Sequence, residues 1–404
     1  MKTLWMVSGG FEAIPGIIEA KKLGLNVVVS DGNPSAPGFA YADHSVVADT
    51  YNVEQTLDCV KDYCRKGKVD GVISVASDVP LTVATIADEF GLPGISIETA
   101  LLASNKLKMK QHFLEHGIST PWFSAISNSE ELADVVRAKR SLLVLKPVDS
   151  RGARGVLLLD EGANLAEAFK FSKRHSPSGG LILEEFISGP QVSTESILIK
   201  DRSWTPGFVD RNYSRLKDFL PSLIEDGGEQ PTFLPYDDRF KLENLAVDAG
   251  RSLGVVDGIV KGDMVLSPSG PMVIEVATRL SGGWLSTDQI PLGTGVNLVE
   301  AAINLALGIP LDEEKLLSNA SNGVAIRYFF PVAGVIKSIH GLESYSKKPW
   351  VHKLEVSVPV GGIISSVKNH TQRAGFVITT GKDRAEAVSR AEEVIKGIKF
   401  VMEG

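Results

Sequence analysis

A chain of 404 residues with 49 acidic and 42 basic side chains carries a net charge of −7, and 43% of its residues are apolar. Single domains usually run about 100–200 residues, so several packed cores are expected, and the ordinary composition excludes a dominant disordered or fibrous region. The acidic balance argues against binding nucleic acid through overall charge. The two cysteines, Cys59 and Cys64, exclude a disulfide framework and fit a reducing, cytoplasmic setting. No run approaches the roughly 20 apolar residues of a membrane span, and the apolar run after Met1 is too short for a signal core.

Leu4 to Ser8 is a short apolar strand, Gly9-Gly10 a turn, and Ile14, Ile17, Ile18 and Leu23 recur at helical spacing before Asn26 to Ser30 forms a second strand. A helix from Leu57 to Cys64, a strand from Gly71 to Val75 and a helix from Thr82 to Phe90 continue the alternation. That order predicts a parallel, Rossmann-like sheet over 1–105. From Lys106 to about 310 the texture changes. Helices are expected at 106–116, from the capping-box pattern Ser127-Asn-Ser-Glu130 to Arg140, and at 163–175. Strands are expected at 142–146, 156–159, 181–187, 192–199, 205–211, 259–266 and 272–276, which reads as an α+β body. Leu216 to Tyr236, with three prolines and Gly227-Gly228, reads as a mobile loop or lid. A small α+β unit closes the chain over 311–404.

Four groups of residues could carry chemistry. Ser8-Gly9-Gly10 with Asp31 at the end of the next strand is only a weak dinucleotide-type signal, and a tight strand-to-helix turn is the structural alternative. Lys146 precedes the loop Asp149-Ser150-Arg151-Gly152-Ala153-Arg154-Gly155, whose cations and backbone N–H groups suit a triphosphate. A hairpin turning on residue 269 places Asp263 opposite Glu275, and opposed carboxylates repel unless a cation lies between them. Few hard oxygen ligands suit Mg²⁺ bridging phosphates; a salt bridge from Glu275 to Lys261 or Arg279 is the structural alternative. Arg279 and the turn Ser281-Gly282-Gly283 could bind a carboxylate or phosphate through guanidinium and free backbone N–H groups. Glu184-Glu185-Phe186-Ile187 ends a strand whose edge groups could hydrogen-bond a flat base.

In this order, Lys106, Lys146 with its loop, Glu184-Glu185-Phe186-Ile187, Asp263 and Glu275-x-x-x-Arg279 resemble the ATP-grasp superfamily over nearly the whole chain. The resemblance implies an N-terminal Rossmann-like domain, two ATP-clasping subdomains hinged near 185–190, and a carboxylate-amine ligase that makes an acyl phosphate from ATP. It assigns Lys106, Lys146, Ser150, Gly152, Gly155, Glu184 to Ile187 and Gln191 to ATP, and Asp263 and Glu275 to Mg²⁺, with Mn²⁺ as the substitute. Arg279 becomes the catalytic residue, and Ser281, Gly282 and Gly283 join it at the substrate. Two positions depart from the family: Ala277 stands where a metal-binding Asn is usual, and Gln191 where a ribose-binding Glu is common. Three other readings compete. They are an inactive or regulatory nucleotide-binding protein, a purine-biosynthesis-like ligase, and a nicotinamide oxidoreductase resting only on Gly9-Gly10 and Asp31. Small carboxylate and amine substrates and a homodimer are the expected partners, with no nucleic acid and no membrane.

Overall fold

The computed structural model describes residues 1–160 and 162–403. Strands β1 (Thr3–Val7), β2 (Asn26–Asp31), β3 (His44–Val47) and β4 (Gly71–Ile73) form a parallel sheet in the order β3-β2-β1-β4. Alternation along β1 sends Leu4 and Met6 into one core and Trp5 and Val7 into another. Helices cover both faces, which is why the strand reads as one continuous apolar run. One of the covering helices, Leu298–Ala306, comes from far along the chain and packs on β4.

Strands β5 (Phe123–Ile126), β6 (Leu143–Pro147), β7 (Leu157–Leu159) and β8 (Leu181–Glu185) form an antiparallel sheet in the order β5-β8-β6-β7. The helices Ser129–Lys139 and Leu165–Arg174 lie over its apolar face. The cap of the first of these helices falls one residue later than the sequence pattern implied. Asn128 accepts from the N–H groups of Glu130 and Glu131, and the Glu131 carboxylate accepts from Ser127 N–H.

The largest sheet is antiparallel throughout. It runs β13 (Gly270–Ala277), β12 (Asp257–Ser267), β9 (Gln191–Ile199), β10 (Arg202–Asn212), β11 (Gly227–Gln230), β14 (Gly323–Tyr328), β18 (Gly375–Gly381) and β16 (Val351–Val356). The residues after 311 therefore extend the central sheet, while β15 (Gly334–His340), β17 (Ile363–Ile364) and β19 (Lys399–Met402) make a small separate one.

Two expectations change here. The segment 216–236 is not a free lid: it contains the short helix Leu216–Phe219 and the fully buried β11, bonded on both sides inside the large sheet. Helix Tyr236–Ser252, which packs on β12 and β13, gave no sequence signal because its buried face is built partly of Ala246, Ala249 and Gly250. Among the described residues no helix is long and apolar enough to cross a membrane.

Candidate active site

The helix Lys106–Glu115 is capped by Asn105, and its residues Lys106 and Lys110, four apart, share one face. Lys110 Nζ lies 3.3 Å from Glu184 and donates to Thr120 Oγ1 at 2.7 Å. Lys146, on the same face of the four-stranded sheet as Glu184, donates to it at 2.8 Å. Burial works to raise the Glu184 carboxyl, but the two lysines outweigh it and hold it below its usual range. Burial pushes the Lys110 ammonium down to about 8, against the pull of Glu184. Glu184 Oε1 is buried without a partner. The strand end is not a free edge as expected: β8 lies between β5 and β6, and Glu185 and Phe186 donate their N–H groups to Trp122 and Leu142, which leaves only the carbonyls and the Ile187 N–H for a base.

Asp263 does stand opposite Glu275, for a reason the sequence did not show. The hairpin turns at Pro268-Ser269, with Ser267 paired to Gly270, a register that would set Asp263 against Ile274; a bulge between Asp263 and Met264 moves it to Glu275. The two carboxylates are not left to repel each other. Asp263 bonds Arg211 at 3.0 Å, Ser193 Oγ at 3.0 Å and Lys261. Burial would raise its carboxyl, yet Arg211 and Lys261 hold it well below the usual range. Glu275 pairs with Lys106 at 3.0 Å, not with Lys261 or Arg279. Opposite Ala277 stands Lys261, so the position that usually supplies an amide oxygen faces an ammonium group. Gln191 lies at the start of β9, two residues before Ser193 and paired with Val265.

The loop after β6 is held from three directions. Lys106 Nζ donates to Ser150 O at 2.8 Å, Arg151 lies 3.6 Å over Tyr51 and donates to Asp78 O, and Gly152 O accepts from His370 N–H at 3.0 Å. Gly155, at φ 74°, brings the chain so close that a Cβ would lie 2.8 Å from both His175 and Pro147.

The turn after β13 corrects an expectation. Two of its three N–H groups are not free: Ser281 N–H donates to Glu195 at 2.8 Å and Gly283 N–H to Glu12 at 2.8 Å. A Cβ on Gly282 would lie 2.5 Å from that same Glu12 oxygen. Glu195 is fully buried, its carboxyl pushed up by that burial against the bonds it accepts from Ser281 and Ser286. Arg279 Nε lies 3.4 Å from Asp78. Burial works to raise the Asp78 carboxyl, but Arg279, Lys106 and Arg151 outweigh it. Sequence reasoning missed Asp78, Lys110, Ser193, Glu195 and Arg211. Glu195, a charge within an otherwise uncharged strand from Gln191 to Ile199, was the one visible signal. Asp31 is committed locally, accepting from Gly9 N–H and Asn33 N–H, so that turn is a strand-to-helix connection held by its own acid.

The donor set fits Mg-ATP. Two carboxylates facing each other are too few to enclose Mg²⁺, which keeps positions for phosphate oxygens. Lys106 and Lys146 could supply charge for those phosphates. Partnerless buried atoms, Glu184 Oε1, Thr278 Oγ1 and Ser281 Oγ, occur on these same segments. Two hollows of about 620 and 510 Å³, lined respectively by Glu229, Arg327 and Arg384 and by Phe11, Trp284 and Lys353, include none of the candidate residues.

Three family models match the chain: the ATP-grasp N-terminal domain over 17–94, the ATP-grasp domain over 103–283 and the L-amino acid ligase C-terminal domain 2 over 327–403. A Sinorhizobium fredii protein, y4rH, is 25% identical over 398 residues, covering 94% of this chain and 78% of its own. Human carnosine synthase 1 is 27% identical over 76% of this chain, which spans 40% of that longer protein. The crystal structure of L-amino acid ligase from Bacillus licheniformis superposes with a TM-score of 0.84 at 23% identity, over 100% of this chain and 99% of that one. The chain belongs to the ATP-grasp superfamily, whose ligases are ATP-dependent enzymes that form C–N bonds.

Proposed function

We propose that this protein is a cytoplasmic ATP-dependent carboxylate-amine ligase that activates a small carboxylate, in the first instance an amino acid, as an acyl phosphate. An amine then displaces phosphate, and ADP is released. The observation that carries this reading is the convergence of Lys106, Lys110, Lys146, Arg211 and Arg279 on Asp78, Glu184, Asp263 and Glu275. Each cation already has a carboxylate partner, so a triphosphate and a divalent ion can exchange into the cluster while charge stays balanced. The C-terminal match to an L-amino acid ligase domain supports an amino-acid substrate.

In this reading Lys106 and Lys146 turn from Glu275 and Glu184 toward phosphate oxygens, and the Glu185 to Ile187 backbone holds the base. Asp263 and Glu275 would hold Mg²⁺, which supplies neutralisation of phosphate charge. Arg279, released from Asp78, meets the charge that develops as the phosphoryl group reaches the substrate carboxylate. The Arg151 to Gly155 loop keeps water from the acyl phosphate. The working division is 1–105, 106–310 hinged near 185–190, and 311–404. A second reading, nucleotide binding without ligation, is favoured by Lys261 facing Ala277.

One screen separates the two. Phosphate release from Mg-ATP is measured with pairs of amino acids and small carboxylates, and products are weighed by mass spectrometry. The ligase reading predicts release that depends on both partners and a product equal to their sum less water. Nucleotide binding with no stimulated release by any pair would favour the second reading.

A further inference from the structure

A short segment of the C-terminal unit, Asn369 to Arg373, reaches the phosphate end of the cleft, and nothing in the family assignment gives it a role. Asn369 caps its single turn by accepting from Thr371 N–H. His370 N–H donates to Gly152 O in the loop after β6 at 3.0 Å, which ties the two segments to each other. Arg373 lies 3.7 Å over Tyr328 and donates to Glu225 O at 2.6 Å. The Glu225 side chain in turn accepts from Arg211, the partner of Asp263. The charged groups around the His370 ring are Arg373, Arg211, Asp263 and Lys261.

Two atoms of this segment, His370 Nε2 and Arg373 Nε, are buried with no hydrogen-bond partner. Buried polar atoms are nearly always paired, so two such atoms on residues three apart call for a partner from outside the chain. Both can donate. Arg211, Lys261 and Arg373 outnumber Asp263 and Glu225, and this surplus of positive charge selects an anion.

We propose that His370 and Arg373 form a phosphate-recognition element that reads the terminal phosphoryl group of a nucleoside triphosphate, with the His370 to Gly152 bond coupling that contact to closure of the loop. This deepens the ligase reading and rests on it. It makes the C-terminal unit a sensor that distinguishes triphosphate from diphosphate.

The test is calorimetric titration of the full chain, in Mg²⁺, with a non-hydrolysable ATP analogue and with ADP. The wild-type protein should bind the analogue more tightly than ADP. His370→Ala and Arg373→Gln should each weaken the analogue at least tenfold and ADP by less than twofold, a selectivity that general loosening of the fold would not produce. Equal losses for both nucleotides, or no loss, overturn the proposal while leaving the nucleotide site intact. A wild-type protein that binds neither overturns the ligase reading as well. Thermal unfolding without nucleotide checks each variant's fold. If either variant fails to fold, His370→Gln and Arg373→Lys are titrated in its place and judged by the same ratio.

Discussion

Two ends of the cleft solve the same problem with different materials. At one, Glu184 is buried between two lysines from the helix Lys106–Glu115 and strand β6; at the other, Asp263 is buried between Arg211 and Lys261 from the large sheet. The difference lies in the cations. Lys110 can shed its proton, and burial already brings it to about 8; Arg211 cannot, because a guanidinium stays charged in proteins. The Glu184 end, held by lysines alone, can therefore relax further when its charge is disturbed than the Asp263 end, where Arg211 stays charged. A carboxylate with a spare buried oxygen and a proton-releasing neighbour suits an end that admits a neutral base. A carboxylate locked by an arginine suits an end that meets phosphate.

Substitutions at the two ends should break this symmetry. Asp263→Asn leaves Arg211 and Lys261 without their shared partner and should cost about 3 kcal/mol in denaturant unfolding at pH 7. Glu184→Gln should cost less, about 2 kcal/mol, because Lys110 can go neutral. The pH dependence sharpens the contrast. Lys110 titrates near 8 in the fold against 10.5 ordinarily. Between those values the unfolded chain keeps a proton that the fold releases, so this group makes stability rise with pH. The Glu184→Gln deficit should accordingly shrink between pH 7 and 9, whereas the Asp263→Asn deficit should not. Equal behaviour of the two across that range would remove the distinction.

Glu275→Gln is the intermediate case. Its partner is Lys106, and the side chain is 31% exposed, so a stability loss of about 1 kcal/mol is expected. Phosphate release should nonetheless fall to background if Glu275 holds Mg²⁺. Turnover close to wild type would move the metal elsewhere. The smallest effect separates the two segments that both read as covers. Amides of Gly227 to Gln230 should be protected from hydrogen exchange with or without Mg-ATP, being sheet-bonded on both sides. Those of Arg151 to Gly155 should slow only when nucleotide is added.

The residues that were legible in the sequence sit on regular elements or next to glycines. Periodicity gave the parallel sheet, and the spacing within one hairpin set Asp263 against Glu275, although a bulge rather than the turn is responsible. What could not be read are contacts between distant segments. Asp78 meets Arg279 across 201 positions and Glu12 meets Gly283 across 271, and no local period encodes such pairs. The Ser281 to Gly283 turn looked like a free anion cradle because its two acids, Glu195 on β9 and Glu12 in a short helical turn, lie far off in the chain. The stretch 216–236 looked mobile because its prolines and glycines conceal a four-residue strand with no apolar alternation.

The central claim is that the cleft makes an acyl phosphate at the substrate carboxylate, with Arg279 balancing the charge. Hydroxylamine intercepts such a species as a hydroxamate. With Mg-ATP, hydroxylamine and a carboxylate found in the screen, but no amine, the wild-type protein should form hydroxamate in step with ADP. Arg279→Gln should form neither while still binding Mg-ATP. ADP formed without hydroxamate, or hydroxamate undiminished in Arg279→Gln, would contradict the account.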